Sequence, residues 1–226
     1  DPLCEKYHSV SPYAYCHNNP VNRIDPDGRD DYYSVGGQFL FRDSKKTDRI
    51  IIRDLVSYST KQQGWEFGPN PDTPIEQTVL SAEAYSKIFT NILSEMKDVD
   101  IYLLHNQSVS VVVSPNDYDI ESTFNDPYSA FSSEGVVNAA TQHLNGVKKI
   151  TACINYLGAS DNRKLFATLS NVQNLLGVHE YIGHGVKGWS GSNHKLVYKN
   201  QFKHPSWKRT TGYFKRQELS NYQKVK

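Results

Sequence analysis

Residues Gly177–Gly185 read GVHEYIGHG, a run that brings His179, Glu180 and His184 close together in the chain. Two neutral imidazoles can grip a divalent cation, and a carboxylate held beside them can take a proton from water. In the common zinc spacing, H-E-x-x-H, the histidines are four apart and share one helix face. Here His179 and His184 are five apart, which on a regular α-helix of about 100° per residue leaves them about 140° apart. Sharing one ion therefore predicts a π-bulge, because i→i+5 hydrogen bonding brings such positions to one side. Gly183, directly before the second histidine, lowers the steric barrier to that distortion. One alternative needs no distortion: Glu180 and His184, four apart, could be the ligand pair, which would remove Glu180 as a base.

A catalytic zinc takes three protein ligands and keeps one position for water. His194 ranks first as the third ligand, since Gly188 and Gly191 let the chain fold back over the site. His204 ranks second and Glu218 third, and a residue that loses this place can orient a ligand from behind. The expected set is thus Zn2+ on His179, His184 and His194, with Glu180 as general base. Tyr181, Tyr198 and Tyr213 are candidate donors to a developing oxyanion.

The elements that must hold this set follow from periodicity. Ser170–Val186 reads as a helix capped by Ser170, with Val172, Leu175, Leu176, Val178 and Ile182 on its apolar face. Ser81–Lys97 reads as an amphipathic helix capped by Ser81, with Ala84, Ile88, Ile92 and Met96 recurring at helical spacing. Strands are expected at Gly37–Phe41, Asp48–Val56, Ile101–Leu104, Ser108–Ser114 and Val147–Leu157. Gly64–Thr73 and Asn116–Glu134 read as loops. His143 reads as a helix-surface residue, His105 as a turn residue, and Cys153 as a buried, inert thiol. The fold class is α+β, a mixed or antiparallel sheet packed on helices.

Residues 1–30 differ from the rest, with the turn signals Ser11-Pro12, Asn19-Pro20, Asp25-Pro26 and Asp27-Gly28 in close succession. SPYAYCHNNPVNRIDPDG resembles the end of the core region of RHS-repeat proteins, in which a β-cage shell precedes a variable C-terminal toxin domain. The resemblance implies residues 1–30 as the end of that core and 31–226 as the toxin domain. It also implies self-cleavage around Pro20, Asp25, Pro26 and Gly28, although Arg29 stands where that family places an apolar residue. HEYIGH resembles the H-E-x-x-G-H zinc motif of the dipeptidyl-peptidase III family. HEYIGHG with the following NHKLVYKNQFKHPSWKRTT resembles C-terminal RHS toxin domains of Bacteroidota described as metallopeptidases. These resemblances imply a zincin-like active-site helix. They imply a secreted protein, or one delivered into a target cell, with a protein or peptide substrate there, a cognate immunity protein, and the RHS shell of the parent chain as partners. By analogy with zinc proteases, Val147–Leu157 is the strand expected to hold substrate by β-augmentation.

Composition narrows the alternatives. The 226 residues are 38% hydrophobic and 22% charged, with mean hydropathy −0.61, as expected for a folded chain without a membrane span. A net charge of +1 makes no electrostatic case for nucleic acid over the chain as a whole. However, residues 195–226 hold nine Lys or Arg against the single acid Glu218. A metal-dependent nuclease is therefore the second reading, and a non-catalytic surface-binding tip the third. Three widely spaced cysteines, Cys4, Cys16 and Cys153, form neither a disulfide framework nor a thiolate zinc site.

Overall fold

The computed structural model describes residues 29–53, 55–59, 64–67, 72–114, 138–156 and 158–225. The region expected to be an RHS-core remnant, up to residue 28, lies outside them, as do Cys4, Cys16, the expected cleavage signal and the expected loop Asn116–Glu134. The described part is α+β, with mixed sheets packed against helices.

The first sheet runs in the order β2-β1-β3-β6, from β1 (Asp31–Ser34), β2 (Phe39–Arg42), β3 (Ile50–Arg53) and β6 (Thr73–Pro74). Ile50, Ile51 and Ile52 are all buried, as β-branched residues covered on both faces should be. β4 (Leu55–Ser59) and β5 (Gly64–Phe67) pair antiparallel. The loop expected at Gly64–Thr73 thus begins as a strand and ends in β6.

Helix α1 (Ala82–Ser94) is capped as expected, with the Ser81 hydroxyl accepting from the Ala84 amide at 3.2 Å. It buries Ala84, Tyr85, Ile88, Phe89, Ile92 and Leu93, and Phe89 stacks on Phe166 at 5.2 Å in the core. The strand expected at Ile101–Leu104 is instead a 3-10 turn, Ile101–Leu103. The Asp100 side chain accepts from the Tyr102 amide there, and this local bond competes with sheet pairing.

The second sheet has the order β7-β9-β8, from β7 (Ser110–Ser114), β8 (Ala139–Leu144) and β9 (Val147–Asn155). β7 pairs parallel and β8 antiparallel to the central β9. β8 and β9 are joined at Asn145-Gly146, both at positive φ (50° and 83°), as a type I′ hairpin requires. His143 therefore lies on a strand, not on a helix. Cys153 is fully buried, and burial raises its thiol pKa to about 12, so it is inert at neutral pH.

Helix α2 (Leu169–Val172) runs directly into a π-helix, Gln173–Val186. Its cap is Thr168, whose hydroxyl accepts from the Asn171 amide, rather than Ser170. Ser170 lies inside the helix with its hydroxyl buried and unpartnered. Helices α3 (His194–Lys203) and α4 (Gly212–Lys224) complete the described chain. No helix among the described residues is long and apolar enough to cross a membrane.

Candidate metal centre

The π-helix supplies the geometry that the five-residue spacing demands. Its pairing is seen in the Lys187 amide, which donates to the Ile182 carbonyl five residues back. The ring centroids of His179 and His184 lie 5.1 Å apart, on one side of the helix.

The third imidazole comes from α3. Gly188 and Gly191 both take positive φ (66° and 53°), which turns the chain so that α3 starts at His194 beside the π-helix. Gly183 lies inside the π-helix and has a packing role besides. A Cβ there would lie 2.6 Å from Val197 Cγ1, so what the glycine provides is close approach of α3 to the π-helix. His179, His184 and His194 each offer one nitrogen, and these atoms all lie within 4.8 Å of one another. His179 Nε2 and His194 Nε2 are 3.2 Å apart. Two nitrogens held by one tetrahedral zinc at about 2.0–2.1 Å would be about 3.3–3.4 Å apart, so this pair already has the spacing of shared ligands.

The far sides of two rings are committed. His179 Nδ1 lies 2.9 Å from Gln201 Oε1, an acceptor, so Nδ1 carries the hydrogen and Nε2 the lone pair. His184 Nδ1 donates to the Trp189 carbonyl at 2.5 Å, which likewise leaves its Nε2 free. With the lone pair of His179 on Nε2, the hydrogen between the two rings belongs to His194 Nε2, and a metal taking both nitrogens would need it moved to Nδ1 or released.

Electrostatics favour ligand-ready imidazoles. Burial, followed by the neighbouring His184, holds His179 well below the ordinary histidine value. Burial also lowers His184, and burial with His184 nearby lowers His194 to about 4. All three are neutral at pH 7. Glu180 is 4% exposed, and burial raises its carboxyl to about 7, against the opposing hydrogen bond from Thr141. Thr141, on β8, places its hydroxyl 2.8 Å from Glu180 Oε2 and 3.1 Å from the Glu180 carbonyl. Burial likewise raises Glu218 to about 7. No lysine or arginine pairs with Glu180 or Glu218 among the described residues. Buried acids are ordinarily paired or gathered round a metal, so a divalent cation among the three imidazoles would supply the missing positive charge.

The lower-ranked ligand candidates sit elsewhere. His204 caps the turn Pro205–Arg209, its Nδ1 accepting from the Ser206 amide at 3.2 Å. Glu218 lies behind His179, 4.0 Å from Nδ1, with Gln201 bridging the two. The Tyr181 hydroxyl is committed to the Asp100 backbone, and Tyr213 lies beside Lys164. Of the three tyrosines, Tyr198 is the one packed on the imidazoles, 4.7 Å from His179 and 5.2 Å from His194 between centroids.

Val147–Leu157 is not an exposed edge. Its strand β9 has β7 on one side and β8 on the other, so the expected substrate-holding role is overturned. β8 is the strand that lies along the π-helix, and its outer side has no strand partner among the described residues. The sequence reading missed β8, Thr141 and Gln201. The Asn145-Gly146 dipeptide was the signal for β8. Gln201 follows His194 by seven residues, two helical turns on the same face, and this spacing was the signal for its place. No protein-family model, curated protein or solved structure matches the chain, so the functional reading is drawn from the geometry of its own residues.

Proposed function

We propose that this chain is a zinc-dependent peptide hydrolase, the toxin domain of an RHS protein, with His179, His184 and His194 as metal ligands and Glu180 as general base. One observation carries the reading. A buried carboxylate stands next in sequence to one of three converging neutral imidazoles, and a hydroxyl from a neighbouring strand holds it. A bound zinc would supply Lewis acidity and lower the pKa of water at its open position to about 7. Glu180 takes a proton from the attacking water and returns it to the leaving amine. Thr141 anchors Oε2 of that carboxylate during the exchange. The free side of β8, the strand that packs along the π-helix and carries Thr141, offers an extended peptide a backbone to pair with. The RHS context rests on two sequence resemblances, SPYAYCHNNPVNRIDPDG and HEYIGHG with the NHKLVYKNQFKHPSWKRTT that follows.

The test is a Glu180→Gln variant, which keeps the shape of the side chain and removes the base. Hydrolysis of casein or a peptide library should fall by about 10²–10⁴-fold with zinc content unchanged. Full retained activity would remove Glu180 from the chemistry. A nuclease is the second reading, favoured by the exposed Lys195, Lys199 and Lys203, which recur every fourth residue along α3. Incubation with plasmid, RNA and casein in parallel separates the two by which substrate is cut.

A further inference from the structure

Gln201 and Glu218 stand behind the cluster and touch no substrate-facing group described above. We propose that they act as a positioning relay that fixes the tautomer of His179, so that its Nε2 lone pair always faces the metal position. The proposal rests on the metal reading of the site, and it assigns a role to two residues that the hydrolytic scheme leaves unused.

A neutral imidazole has one N–H and one lone pair, and the partner of one nitrogen decides which is which. A glutamine partner does not decide this by itself. Turned one way, its carbonyl accepts from Nδ1 and leaves Nε2 free for a metal. Turned by 180°, its NH2 donates to Nδ1 and moves the imidazole hydrogen to Nε2, blocking the metal position. In this chain Gln201 Oε1 lies 2.9 Å from His179 Nδ1, and Gln201 Nε2 lies 2.7 Å from Glu218 Oε2. Once ionised, the form that a nearby divalent cation favours, the Glu218 carboxylate only accepts, so it holds the NH2 end of Gln201 and sends the carbonyl end to His179. The reversed amide would set two acceptor oxygens against each other at that distance. Water offers no escape, because Gln201 is 0% and Glu218 2% exposed.

Direct contact would not do the same work here. Glu218 Oε2 is 4.0 Å from His179 Nδ1, beyond a hydrogen bond, and Gln201 spans the gap. The three residues come from three elements: His179 from the π-helix, Gln201 from α3 and Glu218 from α4. The Gln201 backbone is itself tied down, its carbonyl accepting from Asn174 Nδ2 at 3.2 Å. The relay is thus set rigidly before any metal arrives, which is what an outer partner of a ligand must be in order to raise affinity.

A purely structural tie between helices is the competing account, and Glu218→Gln separates the two. An amide at 218 keeps the volume and can still bond Gln201, but the paired amides can now reverse together, so direction is lost. The expected result is a zinc Kd weakened by about 10–100-fold, as for other outer partners of metal ligands, with the melting temperature of the metal-free protein unchanged or raised. Gln201→Met, which removes the bridge, should weaken zinc binding by at least as much. In the metal-free wild-type protein at a pH well above 7, where Glu218 is ionised, long-range 1H–15N correlation should show the His179 hydrogen on Nδ1. Zinc affinity within about threefold of wild type in both variants, or His179 protonated on Nε2 in the wild type, would overturn the proposal. A wild-type protein that binds no zinc would instead overturn the metal reading, and the NMR result on His179 would still decide whether the relay sets the tautomer.

Discussion

Replacing Gly183 with alanine sets two effects of opposite sign against each other. In an unconstrained helix interior the change is stabilising by about 1 kcal/mol, because alanine loses less backbone freedom. Here the new Cβ would meet Val197 Cγ1 at 2.6 Å, Cγ2 at 3.2 Å and Cβ at 3.3 Å. Carbon atoms pack at about 3.5–4.0 Å, so α3 must retreat by about 1 Å. Val197 is fully buried and cannot swing aside into solvent. Overpacking of this kind costs about 1–3 kcal/mol and outweighs the helix gain. The functional cost is larger, since His194 rides on α3 and metal–ligand distances tolerate only about 0.2 Å. The expected zinc affinity loss is at least about 100-fold, the upper end of what losing an outer partner causes. Competition with a chromophoric chelator measures it. Val197→Ala removes both γ-carbons, so adding it to Gly183→Ala should restore zinc binding although not full stability. Wild-type zinc affinity in the single variant, or no recovery in the double, would refute the claim that this glycine sets the position of α3.

Metal-free protein should lose stability as pH falls from about 6.5 toward 4. Folding holds His179, His184 and His194 neutral, so the unfolded chain takes up protons there that the folded chain refuses. Glu180 and Glu218, raised to about 7, act oppositely, adding stability below about 4.5 that is lost as pH rises through 7. With His204 also held low and Asp48 also held high by burial, four imidazoles outnumber three carboxyls, so urea midpoints in EDTA should be lower at pH 5 than at pH 6.5, and a flat or reversed trend would contradict these shifts. Arg42→Met removes the guanidinium that bonds the buried Asp31 and Glu95, and should destabilise by about 1.5–3 kcal/mol in urea unfolding, as for a lost charge-assisted hydrogen bond. Gly146→Ala places a side chain at φ +83° with nothing within 4 Å of it, so strain alone acts, and a loss of about 1–2 kcal/mol is expected. An unchanged midpoint would mean that the hairpin relaxes around it.

Residue types and local spacing carried a good deal of this protein. The ligand atoms are side chains at fixed offsets, so a five-residue histidine gap with a neighbouring acid already specified a helix of i→i+5 pairing. The Ser81 cap and the apolar repeat specified α1, because both signals lie within a few turns of one segment. Gly188 and Gly191 specified a turn that could return His194. Contacts between segments far apart in sequence could not be read that way. That Gly183 serves Val197, that Thr141 reaches Glu180 from another strand, and that Glu218 stands behind His179 rather than beside the metal position all depend on how sheet, π-helix and α3 pack. Backbone hydrogen bonds and side-chain periodicity are local and leave their mark in the sequence, whereas the distance between two elements is set by the summed packing of everything between them.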